Sequence, residues 1–166
     1  MRITETHVYF WGGWLSNFWP CQVELKIYLT AKNYTRVITK SSEHAFMLYK
    51  AMYFNDGKAF SQILDAPDGK SAKAIGRKVK NFNANIWDHM SYDKMLLSCR
   101  AKFSQNVDLK QKLLDTGSHV IVEASPLDKI WGVGLHFDND LILDESNWLG
   151  ENRLGRVLMD VRKELS

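Results

Sequence analysis

The chain has 166 residues, of which 45% are hydrophobic and 25% are charged, a composition typical of a soluble globular protein with one domain, 1–166. The net charge of +3 suits a small phosphorylated ligand, and it is weak evidence for binding to duplex DNA, which usually requires a concentrated basic surface. No apolar run is long enough for a membrane helix, and Cys21 and Cys99 do not form a disulfide framework, so we expect a cytoplasmic protein with no membrane partner.

The first forty residues favour β-structure. Residues 8–11 form a β-like run, and residues 22–28 alternate polar and apolar side chains as a half-buried strand does. Residues 34–39 can pair with that strand through a turn at residues 31–33. Ser41 is then a suitable N-cap for a central helix.

The rest of the chain favours helices around a small amount of strand. Trp87 is expected in a loop, and Gly117 gives a C-cap signal after the helix that precedes it. The expected helices cover residues 59–64, 71–79, 92–103, 109–114 and 155–164, and the expected strands cover residues 119–124 and, more weakly, 140–143. This order predicts an α+β fold, mainly helical around a small β-sheet.

The central helix carries the most informative spacing in the chain. Glu43 and Lys50 lie seven residues apart, which is about two helical turns, so both project from the same face. The residues around them are almost all apolar, which predicts a helix buried on most of its circumference. Because seven residues is too far for a simple helix ion pair, the two charges are placed to flank a small molecule. We interpret this helix as one wall of an active site.

A second candidate region is the loop that follows the strand at 119–124. It carries Asp128 and Trp131, and a rigid strand commonly displays reactive groups on such a loop. The structural alternative is that Asp128 caps a turn and that Trp131 fills the core. The sequence leaves both interpretations open.

Aromatic and basic residues suggest how a ligand would be held. The chain has six tryptophans, several of them in loops, where they can stack on a flat ring, although Trp11 and Trp148 are expected to build the core. Lys70, Lys73 and Arg77 share a helix face that can clamp a phosphate or simply face solvent. The histidines show no metal-ligand spacing, and no phosphate-binding glycine loop follows a strand, so we expect no metal and no cofactor.

These segments together resemble the YbiA/NADAR family over nearly the whole chain. The matching segments are residues 15–18, 42–47, 50–51, 72–73, 76–77, 87, 102–103, 113–117, 122–125, 128, 131–132, 150–152 and 154–155. The resemblance implies an α+β fold, no metal cofactor and hydrolysis of the C1′–N bond of a phosphorylated ribosyl compound. Two substrate classes are known in the family: riboflavin-pathway ribosylaminopyrimidine phosphates, and ADP-ribosylated guanine in nucleic acid.

That reaction builds positive charge on the ribose ring, so it requires a carboxylate beside the ring and an acid at the departing base. The expected catalytic residues are Glu43, Asp128 and Lys50, the lysine acting either as a fixed charge or as a nucleophile that forms a Schiff base. The expected substrate-binding residues are Asn17, Phe18, His44, Arg77, Trp87, Trp131, Gly132 and Asn152. The rival hypothesis from another class is a module that binds ADP-ribose or a nucleotide without cleaving it.

Overall fold

The computed structural model describes residues 1–28 and 30–166. Within those residues the strands are β1 (Arg2–Ile3), β2 (His7–Phe10), β3 (Val23–Tyr28), β4 (Tyr34–Thr39) and β5 (Val120–Glu123). The helices are α1 (Ser42–Tyr53), α2 (Gly57–Leu64), α3 (Gly69–Gly76), α4 (Ala84–Gln105), α5 (Val107–Leu114) and α6 (Arg153–Leu165). The predicted α+β class is confirmed.

The chain divides into two units, one formed by residues 1–16 with 108–166 and the other by residues 17–107. The expectation of a single domain over 1–166 stays a prediction. No helix in the described part of the chain combines the length and the hydropathy needed to cross a membrane.

The first unit contains a three-stranded sheet in the order β1-β2-β5. β1 pairs antiparallel with β2, and β2 pairs parallel with β5. Helix α6 packs on β5 so closely that a Cβ at Gly155 would collide with the carbonyl oxygen of Ile121. This close approach explains the glycine in the first turn of the helix.

The second unit is organised around α1, which contacts α2, α3 and α4. Ser41 caps α1 by accepting a hydrogen bond from the backbone nitrogen of His44 at 3.1 Å. Residues 42–48, Lys50 and Ala51 are buried, which confirms that the helix is covered on most of its circumference. A buried helix of this kind holds its charged side chains in a fixed, poorly hydrated setting.

The hairpin of β3 and β4 lies in the same unit. The two strands pair antiparallel from Val23 opposite Thr39 to Tyr28 opposite Tyr34. The side chains of β3 alternate between buried and more exposed positions, as the sequence pattern predicts. The hairpin forms its own two-stranded sheet, separate from β1-β2-β5.

Helix α4 begins earlier than the sequence suggests. It starts at Ala84, eight residues before the expected start, and Trp87 therefore lies in its first turn and not in a loop. The cause is Asn83, whose side chain accepts a hydrogen bond from the backbone nitrogen of Ile86 at 3.1 Å and so caps the helix.

Two expectations about the first unit are wrong. Asp140–Leu143 is a 3-10 helix and not a strand, because the side chain of Asn139 caps it by accepting from the nitrogen of Leu141 at 3.1 Å. Trp11 is not a core residue: it is 51% exposed and its ring meets His136 edge-on at 5.0 Å. Trp148 is half-buried and packs against the core, as predicted.

Candidate active site

Glu43 is a buried carboxylate held at the first turn of α1. The residue is 2% exposed, and its carboxylate accepts a hydrogen bond from the side-chain nitrogen of Asn17. The backbone nitrogen of Glu43 donates to the carbonyl oxygen of Asn17 at 2.8 Å, and the Ser42 hydroxyl donates to the same oxygen at 3.1 Å. A residue 26 positions earlier thus fixes both the backbone and the side chain of Glu43. The structure thus brings together Asn17, an expected substrate-binding residue, and Glu43, an expected catalytic residue.

Phe18 and the start of α3 lie beside Glu43. A Cβ at Gly69 would lie 3.4 Å from the Cβ of Glu43 and 3.5 Å from the Phe18 ring, so α3 begins directly against α1. The ammonium of Lys73 lies 5.1 Å from the centre of the Phe18 ring. Positive charge is therefore present on this side of Glu43, and it comes from Lys73.

Arg77, the cation that we expected to bind phosphate, lies one turn further along. It is the exposed residue at the C-terminal cap of α3. Lys73 contacts Phe18, a predicted site residue, and is thus the better candidate. The sequence offered a signal for it, since Lys73 belongs to the same basic stripe as Arg77.

Lys50 lies two turns further along α1 in an aromatic setting. Its ammonium is 4.1 Å from the centre of the Phe82 ring and 5.8 Å from the centre of the Trp87 ring. Burial lowers the pKa of Lys50, and the negative charge of Glu43 acts in the opposite direction. The expected lowering of the pKa of this lysine has the predicted direction.

Trp87 belongs to the same aromatic cluster as Lys50. Its ring lies 5.2 Å from the ring of Phe46 and 6.0 Å from that of Phe54, both on or at the end of α1. The tryptophan is half-buried, so one part of its ring packs on α1 while another part can meet a ligand.

The two ends of this arrangement are spaced for a small molecule. At 1.5 Å per residue, Glu43 and Lys50 are separated by about 10 Å along the helix axis. The Glu43 carboxylate lies at one end, next to Lys73 and Phe18. The buried ammonium of Lys50 and the indole ring of Trp87 lie at the other end. A carboxylate in such a setting can stabilise a developing cation or activate water, and the ammonium can hold an anionic or hydroxyl group.

The ring of His44 is held by two hydrogen bonds to the backbone, and its expected contact with substrate stays a prediction. Its Nε2 donates to the carbonyl oxygen of Ile63 at 2.6 Å, and its Nδ1 accepts from the backbone nitrogen of Lys40 at 3.4 Å. The residue is fully buried, and burial lowers the pKa of its imidazole, which favours the neutral ring that these two bonds require. Both ring nitrogens are used in joining α1 to its neighbours, so we assign His44 a structural role.

Asp128 lies in the first unit, in the loop after β5. One carboxylate oxygen accepts hydrogen bonds from the backbone nitrogens of Ile130 and Trp131 at 2.9 and 2.8 Å. The alternative that Asp128 caps a turn is therefore confirmed for this oxygen. A catalytic role of Asp128 stays a prediction, and so does stacking of the half-buried Trp131 on a base.

Gly132 and Asn152 shape the first unit. A Cβ at Gly132 would lie 2.9 Å from the carbonyl oxygen of Glu123. Asn152 has a left-handed backbone with φ of 53°, and its amide accepts from the nitrogen of Glu123 at 3.0 Å and donates to the oxygen of Ile121 at 2.9 Å. Because both ends of the buried amide bind β5, we assign Asn152 a structural role, and its expected contact with substrate stays a prediction.

Sequence reasoning missed two residues that the structure makes prominent. Phe82 lies in the loop between α3 and α4, where no periodic pattern marks it. Lys102 looks like an ordinary helical lysine in the sequence, yet it is 0% exposed, and burial lowers its pKa to about 8. Lys102 lies in a segment that matches the family, but its position in the helical pattern does not distinguish it from a solvent-facing lysine, and Phe82 has no such signal.

A separate groove lies between α2 and α3. Its volume is 650 Å³, and none of the predicted site residues lines it. Its lining residues are Asp56, Lys58, Ala59, Gln62, Asp65, Ala74, Ile75, Lys78 and Lys80. We therefore place the candidate active site at the Glu43 and Lys50 face of α1 and not in this groove.

Comparison with known proteins connects this site to a family. The model of the NADAR domain family matches residues 9–166. The N-glycosidase R617 of Acanthamoeba polyphaga mimivirus is 39% identical over 97% of both chains. The riboflavin biosynthesis protein VVA0006 of Vibrio vulnificus is 31% identical over 99% of this chain and 40% of its own length. The NMR structure of Escherichia coli YbiA has a TM-score of 0.73 and 26% identity, covering 99% of this chain and 87% of that one.

These similarities extend over nearly the full chain and include the α1 segment that carries Glu43 and Lys50. Similarity of this extent to N-glycosidases makes the protein a hydrolase that acts on N-glycosyl bonds. The chain belongs to the NADAR family.

Proposed function

We propose that this N-glycosidase hydrolyses the C1′–N bond of a small phosphorylated ribosyl compound, of the type of the riboflavin-pathway ribosylaminopyrimidine phosphates. The observation that carries the proposal is the buried Glu43 carboxylate, held by Asn17 on the same helix face as Lys50. The name of the Vibrio vulnificus relative, a riboflavin biosynthesis protein, supports this substrate class.

The proposed reaction adds water across one bond. The C1′–N bond breaks, the hydroxyl of water is transferred to C1′ and its proton ends on the departing nitrogen. Glu43 faces the ribose, where it stabilises the oxocarbenium-like transition state and orients the attacking water.

The remaining groups bind the substrate. Lys73 binds the phosphate on the Phe18 side of Glu43, since its ammonium already lies over that ring. Trp87 stacks on the departing pyrimidine. This division places charge at the phosphate and a flat apolar surface at the base.

The proposal is tested by turnover of the purified protein on two substrates, with Glu43→Gln as the inactive control. One substrate is a phosphoribosylaminopyrimidine, and the other is an oligonucleotide carrying ADP-ribosylated guanine. We expect cleavage of the pyrimidine compound, measured as release of ribose 5-phosphate. Cleavage of the oligonucleotide alone contradicts our choice of substrate, and binding without cleavage of either one favours the non-catalytic module.

Lys50 is expected to act as a fixed positive charge. The face of Phe82 at 4.1 Å and the charge of Glu43 both favour its protonated form, against the effect of burial. Lys50→Met should then lower kcat about 10²-fold, while Lys50→Arg should retain most of the activity, because the guanidinium keeps the charge.

Borohydride reduction during turnover separates this role from the nucleophilic one. A lysine that attacks C1′ forms a Schiff base with the opened sugar, which borohydride converts to a stable adduct detectable by mass spectrometry. We expect no adduct at Lys50. An adduct that disappears in Lys50→Arg, together with loss of turnover in that variant, contradicts the fixed-charge role.

A further inference from the structure

The ring of Phe82 lies nearer to the Lys50 ammonium than the ring of Trp87 does. The distance from Nζ to the centre of the Phe82 ring is 4.1 Å, against 5.8 Å for Trp87. Both distances lie within the range in which a ring face attracts a cation. Lys50 is 9% exposed although its side chain is long and charged, whereas Phe82 is 46% exposed. One side of the Phe82 ring therefore covers the ammonium while the remainder of the ring meets solvent.

The loop that carries Phe82 is anchored on both sides of it. The backbone nitrogen of Lys80 donates to a carboxylate oxygen of Asp56 at 2.8 Å. Asn81 has a left-handed backbone with φ of 58°, which turns the chain immediately before Phe82. Asn83 caps α4 immediately after it. These contacts set the position of the Phe82 backbone.

The Phe82 ring also has a support of its own. It packs edge-to-face on Phe54 at 5.4 Å, and Phe54 is a buried residue at the C-terminal end of α1. The backbone nitrogen of Phe54 donates to the carbonyl oxygen of Lys50 at 3.2 Å. The ring that covers the ammonium is thus tied to the same helical turn that carries the lysine.

The charged groups near Lys50 lie on its own helix or act on other residues, so the ammonium is covered by aromatic rings. Glu43, on the same helix, is the described residue whose charge acts on it. On α3 the ammonium of Lys73 lies over Phe18, and on α4 the charged form of Lys102 acts on Cys99 and Cys21. From the loop and the start of α4, the groups that face Lys50 are the rings of Phe82 and Trp87.

We propose that Phe82 is a positioning residue for Lys50: its ring closes the solvent-facing side of the ammonium and fixes the charge toward the substrate. The inference rests on the proposed role of Lys50 in the reaction, but the cover itself is a property of the protein without substrate. It assigns a function to an exposed phenylalanine that sequence reasoning did not identify.

The first test measures the cover directly, without substrate. Lys50 is titrated by NMR in protein labelled with ¹³C-lysine, and its signal is assigned from its absence in Lys50→Arg. Phe82→Ala should raise the pKa of Lys50 toward the ordinary value of 10.5, because the access of water to the ammonium outweighs the lost attraction of the ring face. Phe82→Leu keeps an apolar cover but removes the ring face, so it should lower the pKa below that of the wild type. Phe82→Tyr should titrate as the wild type does.

The second test measures turnover. Phe82→Ala should lower kcat about tenfold with a smaller change in KM, and Phe82→Tyr should restore it. Tyr28→Ala removes another exposed aromatic residue, on the hairpin, and should leave both constants unchanged. Thermal unfolding of each variant checks folding, and the leucine and tyrosine variants carry the test where the alanine variant is unstable.

The two tests have distinct outcomes. An unchanged Lys50 titration in both Phe82→Ala and Phe82→Leu overturns the cover, whatever the substrate is. A shifted titration with unchanged turnover overturns the positioning role. If the wild type cleaves neither substrate while the titrations shift as expected, the cover is supported and the failure belongs to the proposed function.

Discussion

Replacing Glu43 by glutamine is expected to lower kcat by roughly three orders of magnitude while leaving the protein folded. Glutamine has the same shape and retains an oxygen that can accept the hydrogen bond from Asn17. What it loses is the negative charge, and the oxocarbenium-like transition state depends on that charge far more than the bound substrate does. We therefore expect a small change in KM and a large change in kcat.

The matched control for this variant is Glu24→Gln. Glu24 lies on β3 in the same unit, where it pairs with Arg36 on the neighbouring strand. The same chemical change there should alter kcat less than twofold, since exposed ion pairs contribute little. A folded Glu43→Gln protein with turnover within tenfold of the wild type would show that the carboxylate is not the catalytic group.

The sequence could predict the part of the site that depends on the spacing of residues along one helix. Glu43 and Lys50 share a helix face because seven residues is two turns, and the apolar residues around them require burial. The hydrogen bond between Asn17 and Glu43 joins residues 26 apart. Spacing cannot reveal such a contact; the family resemblance placed both residues in matching segments without pairing them.

The features that the sequence did not predict depend on side-chain caps and on contacts between distant residues. Trp87 is helical because Asn83 caps α4, and residues 140–143 turn because Asn139 caps a 3-10 helix. In each case a single side-chain hydrogen bond starts a helix where the sequence pattern did not predict one. The family resemblance implied that Asn152 binds substrate, but it could not show that its amide binds the backbone of β5, a contact between residues about 30 apart in sequence.

The burial of Lys102 is the feature that a sequence pattern was least able to predict. The residue lies on α4 with Cys99 one turn before it, and its side chain is 0% exposed. Desolvation lowers its pKa from the ordinary 10.5 to about 8, so burying its charge opposes folding at neutral pH. Burial here is set by the packing of α4 on α1 and β3, which lie far away in sequence.

Lys102→Met is accordingly expected to be more stable than the wild type at pH 7, because methionine fills a similar volume without a charge. Below pH 8 both the folded and the unfolded wild-type chains carry the proton, and the full cost of burial is present. Between pH 8 and 10.5 the folded chain releases the proton first, so the cost falls and the wild type gains stability relative to the variant. At roughly 1.4 kcal/mol per pH unit, the difference in unfolding free energy should change by about 3 kcal/mol across that range.

The measurement is urea unfolding of both proteins at a series of pH values, compared as a difference. The difference is needed because burial raises the pKa of Cys99 to about 11, and that thiol lowers the stability of both proteins as the unfolded chain ionises above pH 9. Lys58→Met, at an exposed position on α2, controls for the loss of one surface charge. A difference between the wild type and Lys102→Met that stays constant from pH 7 to 10.5 would contradict a lowered pKa. A stabilised variant with impaired turnover would show that the buried charge, despite its cost to folding, serves the reaction.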